Sequence, residues 1–207
     1  MNPGPAGTRF IRLLALLFLL SGCATTQKLG DEDRRKIGVV RISSNVQVAP
    51  TMFYLGPGTG VLFAFGAIGG ATAAAASVEP GKALQQFAEK NNIFIEKIAL
   101  EEIDAAIRQA GKLRVLNTGE PTDAVVNVIV YQYGFGIPHG FSSRLGPILG
   151  IRCEIADAGG KVLGSASDYV LKAETMTLED MRDDPKRIED AWRKAARRIA
   201  GNIAAGL

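Results

Sequence analysis

Residues 124–133 are the densest β-forming run of the chain, rich in Val and Ile and closed by Tyr131 and Tyr133. A strand this continuously apolar belongs in the middle of a sheet, with both faces partly covered. The turn residues Gly119, Glu120, Pro121, Thr122 and Asp123 precede it. The rest of the chain must therefore supply neighbouring strands and covering helices.

Residues 37–42 read as a first strand and 113–116 as a short one. Residues 148–156 and 161–171 read as a hairpin, turning at Asp157, Ala158, Gly159 and Gly160. Residues 82–110 read as one long helix. Leu84, Phe87, Phe94, Ile95, Ile98, Ile103 and Ile107 recur at intervals of three and four along one face, and Gly111 is a natural stop. A C-terminal helix follows Asp184 and Pro185, a capping residue and a first-position proline. Its apolar face is Ile188, Ala191, Trp192, Ala195, Ile199 and Ile203. Thr177 and Asp180 have the spacing of a capping box, which allows a short helix before it. The order predicts an α+β domain over residues 37–207: a small mixed β-sheet with the long helix and the C-terminal helix packed on it.

The N-terminus carries an address. Arg9 and Arg12 precede a short apolar run from Leu13 to Leu20, followed by Ser21, Gly22 and Cys23. A basic start, a brief apolar core and small residues at the end make residues 1–22 a signal peptide, too short to span a bilayer. Leu20-Ser21-Gly22-Cys23 resembles the lipobox of bacterial lipoproteins. The alternative is an ordinary signal-peptidase site with an incidental cysteine. The resemblance implies cleavage before Cys23, acylation of its thiol with palmitate-class chains, and residues 23–36 as a polar tether. Ala24, rather than Asp, at the second mature position implies the outer membrane, facing the periplasm. The order of elements also loosely resembles the small domains of penicillin-binding-protein activators and of the curli-secretion channel family, at the level of fold alone.

Removing the signal peptide takes the formal charge from +3 to +1. A nearly balanced chain has no general attraction to nucleic acid, so no nucleic-acid partner is expected. Cys153, the second of two cysteines, alternates with Arg152 and Glu154. It is expected on the buried face of a strand beside Ile151 and Ile155, inert and without a disulfide.

A second feature is the absence of Asp, Glu, Lys and Arg from Ile42 to Val78. Within it, residues 54–78 form a Gly/Ala-rich apolar insertion. Gly56 and Gly60, and Gly66 and Gly70, have the four-residue spacing of close helix packing. Three readings stand: a segment entering the membrane and packing on copies of itself, a small-residue helix packed on this domain or a partner, or a Gly/Ala loop. Phe135, Ile137 and Phe141 follow the central strand and either meet a membrane or partner, or tuck back onto the sheet.

Catalytic patterns are missing. His139 is the single histidine and has no metal-ligand or proton-relay company in sequence. Ser142 and Ser143 lie in no nucleophile elbow. The glycines at 56, 58 and 60 precede no Lys-Ser or Lys-Thr pair. No metal, cofactor or enzymatic activity is expected. The expected role is that of an envelope lipoprotein acting as an assembly or transport accessory, anchored by lipid on Cys23 and working through envelope proteins or self-association. The alternative is a subunit of an oligomeric pore or secretion channel that uses the 54–78 segment.

Overall fold

The computed structural model of the chain describes residues 29–56, 65, 79–116, 120–138, 142–171 and 174–207. The fold is α+β, built on one mixed sheet. Its axis is β5 (Ala124–Gly136), the strand expected at the centre. β6 (Gly146–Asp157) pairs with it antiparallel along its whole length, and β7 (Val162–Leu171) pairs with β6. Asp157 Oδ1 accepts the backbone N–H groups of Gly159 and Lys161, closing the expected hairpin turn.

The other side of β5 is lined by three short segments laid end to end, all parallel to it. They are β1 (Val39–Ile42), β2 (Gln47–Val48) and β3 (Phe53–Leu55). Val40 pairs with Ala124, Val48 with Val130 and Leu55 with Gly136. β4 (Arg114–Val115) then lies outside β1. The Asp123 carboxylate accepts the N–H groups of Gly38 and Val39, which fixes where β1 begins.

Helices cover one face of the sheet. Val126, Val128 and Val130 of β5 stand beside Ile155, Cys153 and Ile151 of β6, all fully buried beneath them. A bulge at Tyr131 shifts the alternation, so the next inward residues are Tyr133 and Phe135. The cover is α2 (Pro80–Lys90), α3 (Ile95–Ala110) and α5 (Lys186–Gly206), with the short α1 (Asp31–Lys36) and α4 (Leu178–Asp183) at the margins. Trp192 of α5 packs on Phe135 at 5.4 Å and on Tyr133 at 5.9 Å between ring centroids, and its Nε1 donates to the Gly134 carbonyl. Each such aromatic pair adds about 0.5–1.5 kcal/mol beyond the area it buries. Between α3 and α5, the nearly buried Glu102 accepts from both Arg193 and Arg197.

The helix expected over residues 82–110 is two helices. α2 ends in a Schellman motif: Ile93 N–H bonds to Ala88 O, Asn92 N–H bonds to Glu89 O, and Asn92 takes φ 59°. The apolar stripe runs through the break because Ile93 is also buried, so periodicity alone does not reveal it. Gly111, with φ 65°, caps α3 as expected. The capping box of Thr177 and Asp180 forms and opens α4. α5 begins one residue later than expected, with Pro185 as its cap and no side-chain cap from Asp184.

The N-terminal tether was expected to run to residue 36. Leu29 is already buried in the core and α1 follows it, so the packed part of the chain starts earlier than Ile37. Residues 53–55 belong to a strand rather than to the insertion, and β5 continues three residues past Tyr133.

Candidate interaction surface

The second face of the sheet carries no described helix. Near the start of β5 this face is polar, with Asn127, Arg152, Glu154, Ser165 and Ser167. Near the end of β5 it becomes apolar. The register explains the grouping. Phe53 pairs with Gly134, which pairs with Ile148, which pairs with Leu171, so these four residues form one row. Leu55 and Gly136 begin the next row. On the other side, Gly150 pairs with Tyr169, and the bulged Tyr131 lays its ring over Gly150.

Glycine makes this arrangement possible. A Cβ on Gly150 would sit 2.5 Å from the Tyr131 ring, and one on Gly136 would sit 2.7 Å from the Ile148 side chain. A Cβ on Gly134, at φ 147°, would sit 1.8 Å from the Phe53 carbonyl oxygen. That last contact is with backbone and cannot be relieved by a side-chain shift. Three glycines thus form a floor on which larger neighbours lie flat.

The result is a cluster of exposed apolar side chains: Leu55 at 54%, Leu171 at 50%, Tyr131 at 43%, Phe53 at 41% and Tyr169 at 37%, with Ile148 buried beneath them. Among the described residues only one other large apolar side chain, Phe94, is comparably exposed. Scattered apolar exposure is ordinary, but a contiguous group of five marks a contact surface. The Tyr131 hydroxyl donates to the Asp168 carbonyl and is thereby held in place. Burial, the nearby Tyr169 and the Asp168 charge all raise its pKa above the ordinary phenol range.

The predicted site residues fall unevenly on this picture. Gly56 directly follows Leu55 at the edge of the cluster. The space a side chain there would need is taken by the Tyr54 ring, 2.5 Å away, and by Leu145 at 3.1 Å, so its close packing is with the domain itself. Cys23, Gly60, Gly66 and Gly70 lie outside the described residues, as do His139 and Phe141. Phe65 is described. It is buried in the core with its ring centroid 4.6 Å from that of Phe87 on α2. Phe135 tucks inward against Trp192 and does not face a membrane or partner. Cys153 is fully buried beside Ile151 and Ile155 as expected, and burial pushes its thiol pKa up to about 12.

Sequence reading did not find the apolar cluster. Its members come from β3, β5 and β7, and only the register across four strands places them together. The available signal was the glycine spacing in β5 and β6, at 134, 136 and 150, within otherwise strong strands.

No family model and no curated protein sequence matches the chain. Among solved structures, a protein from Xanthomonas campestris in family DUF330 is similar at 12% identity and a TM-score of 0.44, with 81% of each chain covered. The PelC dodecamer from Paraburkholderia phytofirmans is similar at 12% identity and a TM-score of 0.39, with 89% of this chain and 95% of that one covered. Lipoprotein GNA1162 from Neisseria meningitidis is similar at 15% identity and a TM-score of 0.25, with 74% of this chain and 99% of that one covered. At these identities and scores the likenesses assign this chain neither an activity nor an assembly.

Proposed function

We propose that this chain is an envelope lipoprotein of the outer membrane, held by lipid on Cys23 and facing the periplasm, and that it works without catalysis as an assembly or transport accessory. The lipobox supports the anchor. The observation that carries the mode of action is the cluster of Phe53, Leu55, Tyr131, Tyr169 and Leu171 on the end of the sheet that no described helix covers. Five large apolar groups kept in water reduce solubility and gain their stabilisation only when a protein surface covers them. The binding surface is rigid, because its floor is the paired backbone of β5 and β6.

The test is the native mass of the acylated protein extracted in mild detergent, corrected for bound detergent, for the wild type and for Leu55→Asp with Leu171→Asp. Both positions are half exposed, so the variant is expected to fold. A discrete multimer that the double variant reduces to monomer makes the cluster a self-association surface. A wild-type monomer directs the search to another envelope protein, captured by crosslinking from Leu171→Cys and lost in Leu55→Asp. A multimer unchanged by the double variant, or crosslinks indifferent to Leu55→Asp, sinks the reading.

A further inference from the structure

On the helix side of the sheet, away from the apolar cluster, the break between α2 and α3 leaves a cavity of about 280 Å³. Val46 and Val48 of the β2 region, Met52, Ala88 and Ile93 make its walls apolar, and Tyr133 and Trp192 close it from the sheet and from α5. Its volume is at the small end of ligand pockets, the size of a side chain rather than of a large cofactor. The rim holds Glu89 from the end of α2 and Glu96 from the start of α3, with Gln85 and the exposed ring of Phe94.

Three observations give this cavity a chemical preference. First, neither Glu89 nor Glu96 forms an ion pair among the described residues; Glu89 only accepts from Gln85 Nε2 at 2.9 Å. The basic side chains nearest in sequence, Lys90 and Lys97, are exposed and do not line the cavity. Second, Tyr133 is 96% buried, yet its hydroxyl has no hydrogen-bond partner among the described residues. The residue lines the cavity, so its hydroxyl oxygen is free to accept a hydrogen bond from a group that enters. Third, the three groups converge on one place. Tyr133, Glu89 and Glu96 line the same cavity, and the two negative charges add to the burial that raises the Tyr133 pKa to about 12.

We propose that this cavity binds an alkylammonium group, either the side chain of a partner's lysine or a small free amine. The apolar walls take the methylene stem. The ammonium has three N–H donors, matched by three acceptors: the carboxylates of Glu89 and Glu96 and the Tyr133 hydroxyl oxygen. A neutral chain of the same length fills the walls but leaves both carboxylates and the hydroxyl as they are. An anion is repelled.

Trp192 is the single tryptophan and lines the cavity, so its fluorescence reports occupancy directly. The acylated protein in a non-ionic detergent is titrated with n-pentylammonium, with 1-pentanol as the neutral control and N-acetyl-lysine methylamide as the lysine analogue. A saturable change with n-pentylammonium is expected, at least tenfold tighter than with pentanol and weakened by salt. The double variant Glu89→Gln with Glu96→Gln removes exposed charges only and is expected to abolish it. Tyr133→Phe removes one oxygen and is expected to weaken binding severalfold while thermal stability holds or rises. Binding of the lysine analogue as well assigns the site to a partner's lysine; binding of n-pentylammonium alone assigns it to a free amine. Equal responses to n-pentylammonium and pentanol, an unchanged titration in the double Gln variant, or no saturable response to either amine overturns the proposal.

Discussion

Cys153 shows how completely one residue can be removed from its usual chemistry. It stands between Ile151 and Ile155 beneath the helices, and burial alone raises its thiol pKa from 9.0 to about 12. Tyr54 and Tyr133 are raised to about 12 as well, chiefly by burial. In each case the neutral, protonated form is the one the fold holds. The stabilisation from Cys153 is therefore complete below pH 9 and is lost as pH rises towards 12, with the two tyrosines contributing from pH 10 upward. Thermal midpoints measured from pH 8 to 11 should fall steadily above pH 9. Cys153→Val keeps roughly the same volume and removes the titrating group, so its early decline between pH 9 and 10 should flatten while the tyrosine-dependent part remains. An identical pH profile in Cys153→Val would exclude the buried thiol as the cause. The position of this cysteine was legible because a strand alternates strictly, and charged neighbours at 152 and 154 force 153 inward. That the Tyr133 hydroxyl lines the cavity with no hydrogen bond among the described residues was not legible, since no sequence pattern says which hydroxyl finds a partner.

At the scale of elements, the junction of α2 and α3 sets both the fold and the cavity. An uninterrupted helix over 82–110 would carry Glu89 and Glu96 on one rigid rod. The Schellman turn instead lets α2 tilt onto β3 while α3 lies along α5. α2 docks so closely that a Cβ on Gly81 would stand 2.0 Å from the Met52 carbonyl oxygen. The turn depends on Asn92 in the left-handed region, where asparagine is tolerated and alanine costs about 1 kcal/mol. Asn92→Gly should match or exceed the wild type in urea midpoint, and Asn92→Ala should fall below it by that amount. If the alanine variant is as stable as the wild type, the left-handed turn is not what separates the helices. The adjacent pair Asn91-Asn92 was the sequence signal for this break. It is weak beside an apolar stripe that runs through it. β2 and β3 escaped for a related reason: segments of two and three residues are too short to show a period, and they borrow their order from β5. The strands and helices with long periodic faces, β5 to β7 and α5, were read correctly in kind and within a few residues at their ends.

Across the whole molecule, the two ends of β5 face different surroundings. Its thirteen residues span about 40 Å. The chain enters the sheet at the Ala124 end, where Val40 pairs, and the exposed apolar cluster lies at the Gly136 end. Five residues separate Cys23 from the buried Leu29, a reach of at most about 20 Å. From Leu29 the chain passes through α1, about 9 Å long, to Ile37 and β1. On the proposed lipid anchor at Cys23, this short lead would tie the Ala124 end near the bilayer and hold the cluster away from it, where proteins rather than lipid could cover it. The arrangement is testable: Cys153 is buried, and if Cys23 is acylated as proposed, a cysteine placed at Leu171 is the single site open to a thiol-reactive fluorophore. In reconstituted vesicles that label should be untouched by quenchers attached to lipid chains. A soluble partner or a second copy should shield it from iodide, and Leu55→Asp should restore the iodide access. Strong quenching from the lipid side would place the cluster in the membrane, and the surface read here as a protein contact would become a second point of anchorage.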